Sequence, residues 1–174
     1  MSLLRGSYLL PRITLGILAA VRTEAYFTVF GEPAPQGSKR YVGGNAASGG
    51  RFIEASKKLE PWRQAVAAAV KLMFEATVDD TPFEPHVPLE VWVTFVMPKP
   101  STVKRLFPTV APDLDKLCRG LGDSMSLERY ALLIPDDAQI VRWHAEKVYG
   151  SRAEMGARVA VRLLDENNAL ITSN

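Results

Sequence analysis

Residues 89–97 (LEVWVTFVM) constrain the fold more tightly than any other stretch of the chain. Leu89, Val91, Val93, Phe95 and Met97 fall on one face of an extended backbone, and Glu90, Trp92, Thr94 and Val96 on the other. Pro98 and Pro100 end the run, and prolines 82, 85 and 88 break the chain before it. This is a strand. Three further segments carry strand-type composition: residues 25–30 (AYFTVF), ending at Gly31, residues 140–149 (IVRWHAEKVY) and residues 157–164 (ARVAVRLL). The turn at 150–156 between the last two predicts an antiparallel hairpin.

Two helices complete the set. Residues 56–76 place Leu59, Trp62, Val66, Val70, Met73 and Phe74 at spacings near three and four, with Pro61 suited to a first turn. The regular helix can therefore begin at Pro61, and the aromatic stripe reads as core. Residues 113–125 (DLDKLCRGLGDSM) carry a stripe of Leu114, Leu117, Cys118, Leu121 and Met125, so Asp113 and Asp115 sit at a helix start. Between the first strand and first helix, residues 32–51 form a long Gly/Pro/Ser-rich loop holding Lys39, Arg40 and Arg51. It reads equally as a solvated connection and as a flexible arm whose cations contact phosphates.

The chain has 174 residues, enough for one domain with a real core. No repeat or linker divides it. Residues 24–166 read as the domain and 167–174 as a polar tail. Residues 1–23 are an N-terminal extension whose apolar run, 13–21 (ITLGILAAV), is too short for a transmembrane helix of ~20 residues. It has the outline of a signal peptide, but the chemistry that follows favours a displaced start or an arm packed on the domain. Cys118 is the only cysteine, which excludes an internal disulfide and a C-x-x-C metal site and fits a cytoplasmic protein. It reads as a small buried hydrophobe.

Charge is uneven. Residues 113–137 hold six acids and three bases, a balance of −3, while the rest of the chain carries +5. A basic body attracts phosphate and an acidic pocket holds cations, although many unrelated proteins are similarly uneven. The acids form two groups, Asp113-x-Asp115 and Asp136-Asp137, with Asp123 between them. Taken singly, the first pair reads as a helix cap and the second as a turn. Taken together, and with their elements packed as neighbours, they converge. Converging carboxylates repel and are kept chiefly to bind a cation. Magnesium is a hard ion that needs only one or two carboxylates beside water and phosphate. Arg119, one turn after Asp115, is either a simple ion pair or a fixed positive charge beside a phosphate. His86 and His144 have no partner histidine at ligand spacing and receive no role.

The runs PDLDKLCRGLGDSM and PDDAQIVRWHAEKVY resemble the RusA family of Holliday junction resolvases, especially its phage and prophage versions. The family pattern is an Asp-x-Asp-Asn helix start, a lysine one turn on, a downstream Asp-Ala, and Asp-Asp-x-Gln before a strand ending in Lys-x-Tyr. Here it falls on Asp113, Asp115, Asp123, residues 136–139 and Lys147-Val148-Tyr149, while FTVFGEPAPQGSKR looks like the family's opening strand and loop. The resemblance covers residues 26–164. It implies an α/β mixed (α+β) fold, a mixed sheet with two main helices, in a homodimer that nicks opposing strands of four-way DNA junctions. It further implies magnesium or manganese held by Asp113, Asp115 and Asp137, with Asp136 adjacent. Catalysis would rest on those three aspartates and Arg119. Lys39, Arg40, Arg51, Lys99, Lys104, Arg105 and Lys116 are the candidate DNA contacts.

Two positions depart from the pattern. The family asparagine is Lys116 here and its lysine is Arg119. Arginine supplies charge but does not readily release a proton. Lys116 could partly replace that lysine, and the chain is expected to retain cleavage; the alternative is a junction-binding protein with little catalysis. A small-molecule phosphohydrolase is the third reading. It is weakened by the lack of a Gly-rich phosphate cradle between a strand and a helix.

Overall fold

The computed structural model describes residues 22–37, 57–77, 81–126 and 133–164, together with the backbone of 40–41 and 52–53. Its elements are β1 (Glu24–Phe30), β2 (Arg40–Tyr41), β3 (Phe52–Ile53), α1 (Leu59–Ala76), β4 (Leu89–Pro98), α2 (Leu114–Ser126), β5 (Ile140–Gly150) and β6 (Gly156–Leu163). A one-turn 3-10 helix, Asp137–Gln139, leads into β5. The fold is the expected mixed α+β: a four-stranded mixed sheet in the order β1-β6-β4-β5 with both helices on one face.

β4 runs through the interior of the sheet because its sequence suits burial. Leu89, Val91, Val93, Phe95 and Met97 are all buried toward the helices. Cross-strand registers extend this face into inner rows such as Phe27, Val159, Val93 and Ala145. Against them α1 lays Leu59, Trp62, Val66, Val70 and Met73, and α2 lays Leu117, Leu121 and Met125. The outer rows stay uncovered by helix; one runs Tyr26, Ala160, Trp92, His144.

The expected β5–β6 hairpin is not formed. β5 pairs in parallel with β4, and β6 pairs antiparallel with β4 on its other side. The two strands do run in opposite directions, but β4 is inserted between them. The connection at 151–155 crosses the end of β4, where the Lys99 N–H donates to Gly150 O at 3.3 Å and the Gly31 N–H donates to Met155 O at 3.0 Å. A strand with apolar residues on both faces gains more from this interior position than a two-stranded ribbon would.

Other boundaries shift slightly. α1 begins at Leu59, two residues before Pro61, and the Trp62 N–H already donates to Lys58 O at 3.2 Å. The predicted loop 32–51 is interrupted by β2, whose Arg40 and Tyr41 pair with Ile53 and Phe52. Lys39 and Arg51 lie outside the described residues, as do 1–21 of the N-terminal extension and the tail.

Gly156, where β6 begins, has φ +155°, and a Cβ there would lie 1.8 Å from Val29 O on β1. Substitution must therefore push β1 and β6 apart. Gly156→Ala is expected to cost at least ~2 kcal/mol, lowering Tm by about 4 °C or more. Calorimetry showing an unchanged Tm would contradict this account of the β1–β6 contact.

Candidate active site

The helix start expected at Asp113 is realised with Asp113 as the capping residue: its carbonyl accepts the Leu117 N–H at 3.1 Å. The first turns of α2 project Asp115, Cys118 and Arg119 toward β5. There they line a pocket of about 600 Å³ with Leu114, Gly122, Asp137, Ile140, Trp143 and Ala145. Asp137 enters from the 3-10 turn. So one acid of each group, Asp115 and Asp137, separated by more than twenty residues of sequence, lines the same pocket beside the edge strand β5. Arg119 is exposed and makes no ion pair among the described residues.

The Asp-Asp-x-Gln run divides its labour. Asp136 caps the 3-10 turn, accepting the Ala138 N–H at 2.9 Å on its side chain. Gln139 is buried. Its Oε1 accepts the Asp136 N–H at 3.2 Å, and its Nε2 donates to Glu84 O at 2.9 Å and Val87 O at 3.1 Å. These bonds hold the turn against the loop preceding β4 and aim Asp137 at the pocket. Each buried bond of this kind contributes ~1 kcal/mol, and more is lost when its partner is stranded.

Asp123, one helical turn beyond Arg119, stands within hydrogen-bonding reach of Asp137. Asp137 is exposed, yet partial desolvation by the pocket wall, then Asp123, then Asp136 push its carboxyl up to about 6. Asp123 itself accepts a hydrogen bond from Gln36 Nε2, and Gln36 Oε1 accepts from Arg63 Nη2 at 2.8 Å. A polar chain thus runs from α1 through residue 36 to the acidic pair. Gln36 and Lys147 are the site residues that reading the sequence left without a function. Lys147 Nζ donates to Val110 O and Pro112 O, both at 2.7 Å, fixing the segment that delivers Asp113 to α2. Only its place in the Lys-x-Tyr motif could have signalled this.

Not all of the expected carboxylates face the pocket. Asp113 is exposed and engages Lys116 in a hydrogen-bonded ion pair. That pair lowers the Asp113 pKa and raises that of Lys116. Lys116 thus occupies the acid that the resemblance assigned to metal. Cys118 is partly buried rather than fully so, and burial pushes its thiol up to about 11, which keeps it protonated and inert. Among the described residues, no three His, Cys, Asp or Glu side chains stand ready as a metal cage. Two carboxylates with open space beside them, crowded by a third, are nonetheless a donor set that magnesium accepts.

Fold and site together define a small α+β domain with an acidic pocket and an adjacent free guanidinium. The model of the endodeoxyribonuclease RusA family matches residues 31–162, and the chain belongs to that family. No curated protein matches it. Among the described residues, no helix is long and apolar enough to cross a membrane.

The raised Asp137 pKa predicts a pH signature. Its folded value of about 6 exceeds the ordinary 3.8, so the folded state holds more protons between these values. This group's contribution to stability is greatest at low pH and is lost as pH rises through 6. In chelator, Asp137→Asn should gain in Tm over wild type as pH rises from about 5 to 7. A Tm difference that stays flat with pH would contradict the crowding of Asp137.

Proposed function

We propose that this protein is a metal-dependent endodeoxyribonuclease that nicks four-way DNA junctions in symmetric pairs. The observation that carries the reading is the convergence of Asp115, Asp137 and Arg119 on one pocket. Asp115 and Asp137 would hold magnesium, or manganese, with Asp123 close enough to contribute. Held there, the ion would supply a lowered water pKa and neutralisation of charge on the phosphate. Arg119 adds a fixed cation for the charge that develops as the phosphodiester is attacked. Gln36 orients Asp123 beside Asp137, and Gln139 fixes the turn that carries Asp137.

DNA contact rests on basic residues around the pocket. Lys99, Lys104 and Arg105 are exposed on the loop that leads to α2, and Lys116 flanks the pocket. Among the described residues no base-reading element is visible, so recognition would be of junction shape and backbone charge. A homodimer matches the two-fold symmetry of paired cuts. The uncovered sheet face suits a second copy, because it presents exposed Tyr26 and Trp92 with both signs of charge, Arg158 and Arg162 beside Glu24 and Glu146.

The Lys116–Asp113 pair favours a second reading, junction binding with weak catalysis, because it removes one acid from the ion's reach. Cleavage of a synthetic four-way junction against a linear duplex of the same sequence separates the two. Paired, magnesium-dependent nicks are expected on the junction only, with a loss of about 100-fold or more in Asp115→Asn. Tight junction binding without nicks would establish the second reading. Lys116→Asn, which frees Asp113, is expected to raise the nicking rate at limiting magnesium. An unchanged or lower rate would show that the pair does not restrain the site.

A further inference from the structure

The loop between β4 and α2 displays apolar side chains where a connection would ordinarily be polar. Leu106 is 79% exposed, Phe107 65% and Val110 51%. Single exposed hydrophobics are common, but three within five residues, rimmed by Lys99, Lys104 and Arg105, form a patch with a charged border.

This patch is held in shape. The Val103 N–H donates to Pro100 O at 3.0 Å, and the Thr109 N–H donates to Phe107 O at 2.9 Å across a tight turn. Pro108 at the centre of that turn is buried while Phe107 beside it is not. Arg105 Nε donates to the Tyr149 hydroxyl at 3.1 Å, and Lys99 Nζ sits 5.7 Å from the Tyr149 ring centroid. Lys147 ties down the far end through Val110 O and Pro112 O. Lys147 and Tyr149 continue the same inner face of β5 whose Trp143 and Ala145 line the acidic pocket. The tip is therefore a fixed projection beside the pocket, on the approach to Asp113.

We propose that Leu106 and Phe107 form a wedge that enters the base stack of the DNA at its branch point, with Lys104 and Arg105 on the flanking phosphates. The proposal rests on the junction-nicking reading and assigns it a distortion element. Apolar side chains inserted at a base step unstack and kink a duplex. At a junction centre no duplex runs continuously through all four arms, so a step there opens at lower cost than one within an arm. The rim of cations matches the phosphates on either side of the opened step, which a purely apolar protein contact would not require. Binding thus selects branched DNA and presents the strand beside the wedge to Asp115 and Asp137.

The test uses the full chain and a four-way junction with 2-aminopurine placed at the crossover. In chelator, wild type should raise the 2-aminopurine fluorescence saturably on binding, and the Leu106→Ser/Phe107→Ser double variant should not. Both substituted positions are exposed, so the fold should survive, and circular dichroism checks this. In magnesium the double variant should nick about ten- to 100-fold more slowly, the effect expected from losing one or two stacked side chains. Phe107→Trp should retain both signals.

Wild type that binds and nicks the junction without a fluorescence rise, or a double variant that keeps the rise, would overturn the wedge and leave the nuclease reading intact. A change in molecular mass of the double variant by light scattering would also overturn it, assigning the tip to a contact between copies. Wild type that neither binds nor nicks the junction would remove the reading itself, and the wedge with it.

Discussion

The close approach of α2 to residues 34–36 is the contact on which the site depends. A Cβ on Gly120 would stand 2.7 Å from Ala34 O and 3.2 Å from the Gln36 nitrogen, so only glycine lets the helix lie this near. The Gln36 N–H then donates to Lys116 O at 3.0 Å, and its side chain reaches Asp123. From that docking follows the rotation of α2. Leu117 and Leu121 turn to the core, Asp115 and Arg119 to the pocket, and Asp123 to Asp137. Gly122 continues the logic on the pocket side, where a Cβ would already touch the Asp137 Cβ and the Trp143 ring, each at 3.6 Å. A larger side chain would fill the space between the two acidic segments.

The site is electrostatically unfinished. Asp137 is exposed, but partial desolvation and two neighbouring aspartates push its carboxyl up to about 6. A fold that only needed a turn here would be served as well by a neutral residue. A bound cation would relieve the crowding, because repulsion among carboxylates would turn into attraction for the ion. Lys116 answers the same problem locally by neutralising Asp113, which lies outside the pocket lining. This chain thus divides its acids between an internal cation and an open position.

Much of this was legible in the sequence, and the gaps have physical causes. Alternation in residues 89–97 and the stripe of Leu59, Trp62, Val66 and Val70 located their elements because burial imposes those periods. The two aspartate groups could be singled out by residue type, and their meeting was conditional on packing that the fold supplies. Strand order was not legible. A short turn between antiparallel segments suits a hairpin and a β4-split pair equally, and the choice is made by long-range burial of β4. Gln36 was hidden because it works through Asp123, 87 residues away. The pairing of Asp113 with Lys116 follows an i,i+3 spacing, but that spacing competes with the i,i+4 pair of Asp115 and Arg119 on the same helix, and only the fold decides between them.

Sharing of one divalent ion by Asp115 and Asp137 is tested without DNA by titration with manganese followed by electron paramagnetic resonance. One site per chain is expected in the wild type at neutral pH, lost in both Asp115→Asn and Asp137→Asn and kept in Asp113→Asn. Binding that survives both of the first two substitutions, or is lost only in Asp113→Asn, would contradict the account and place the ion elsewhere on the chain.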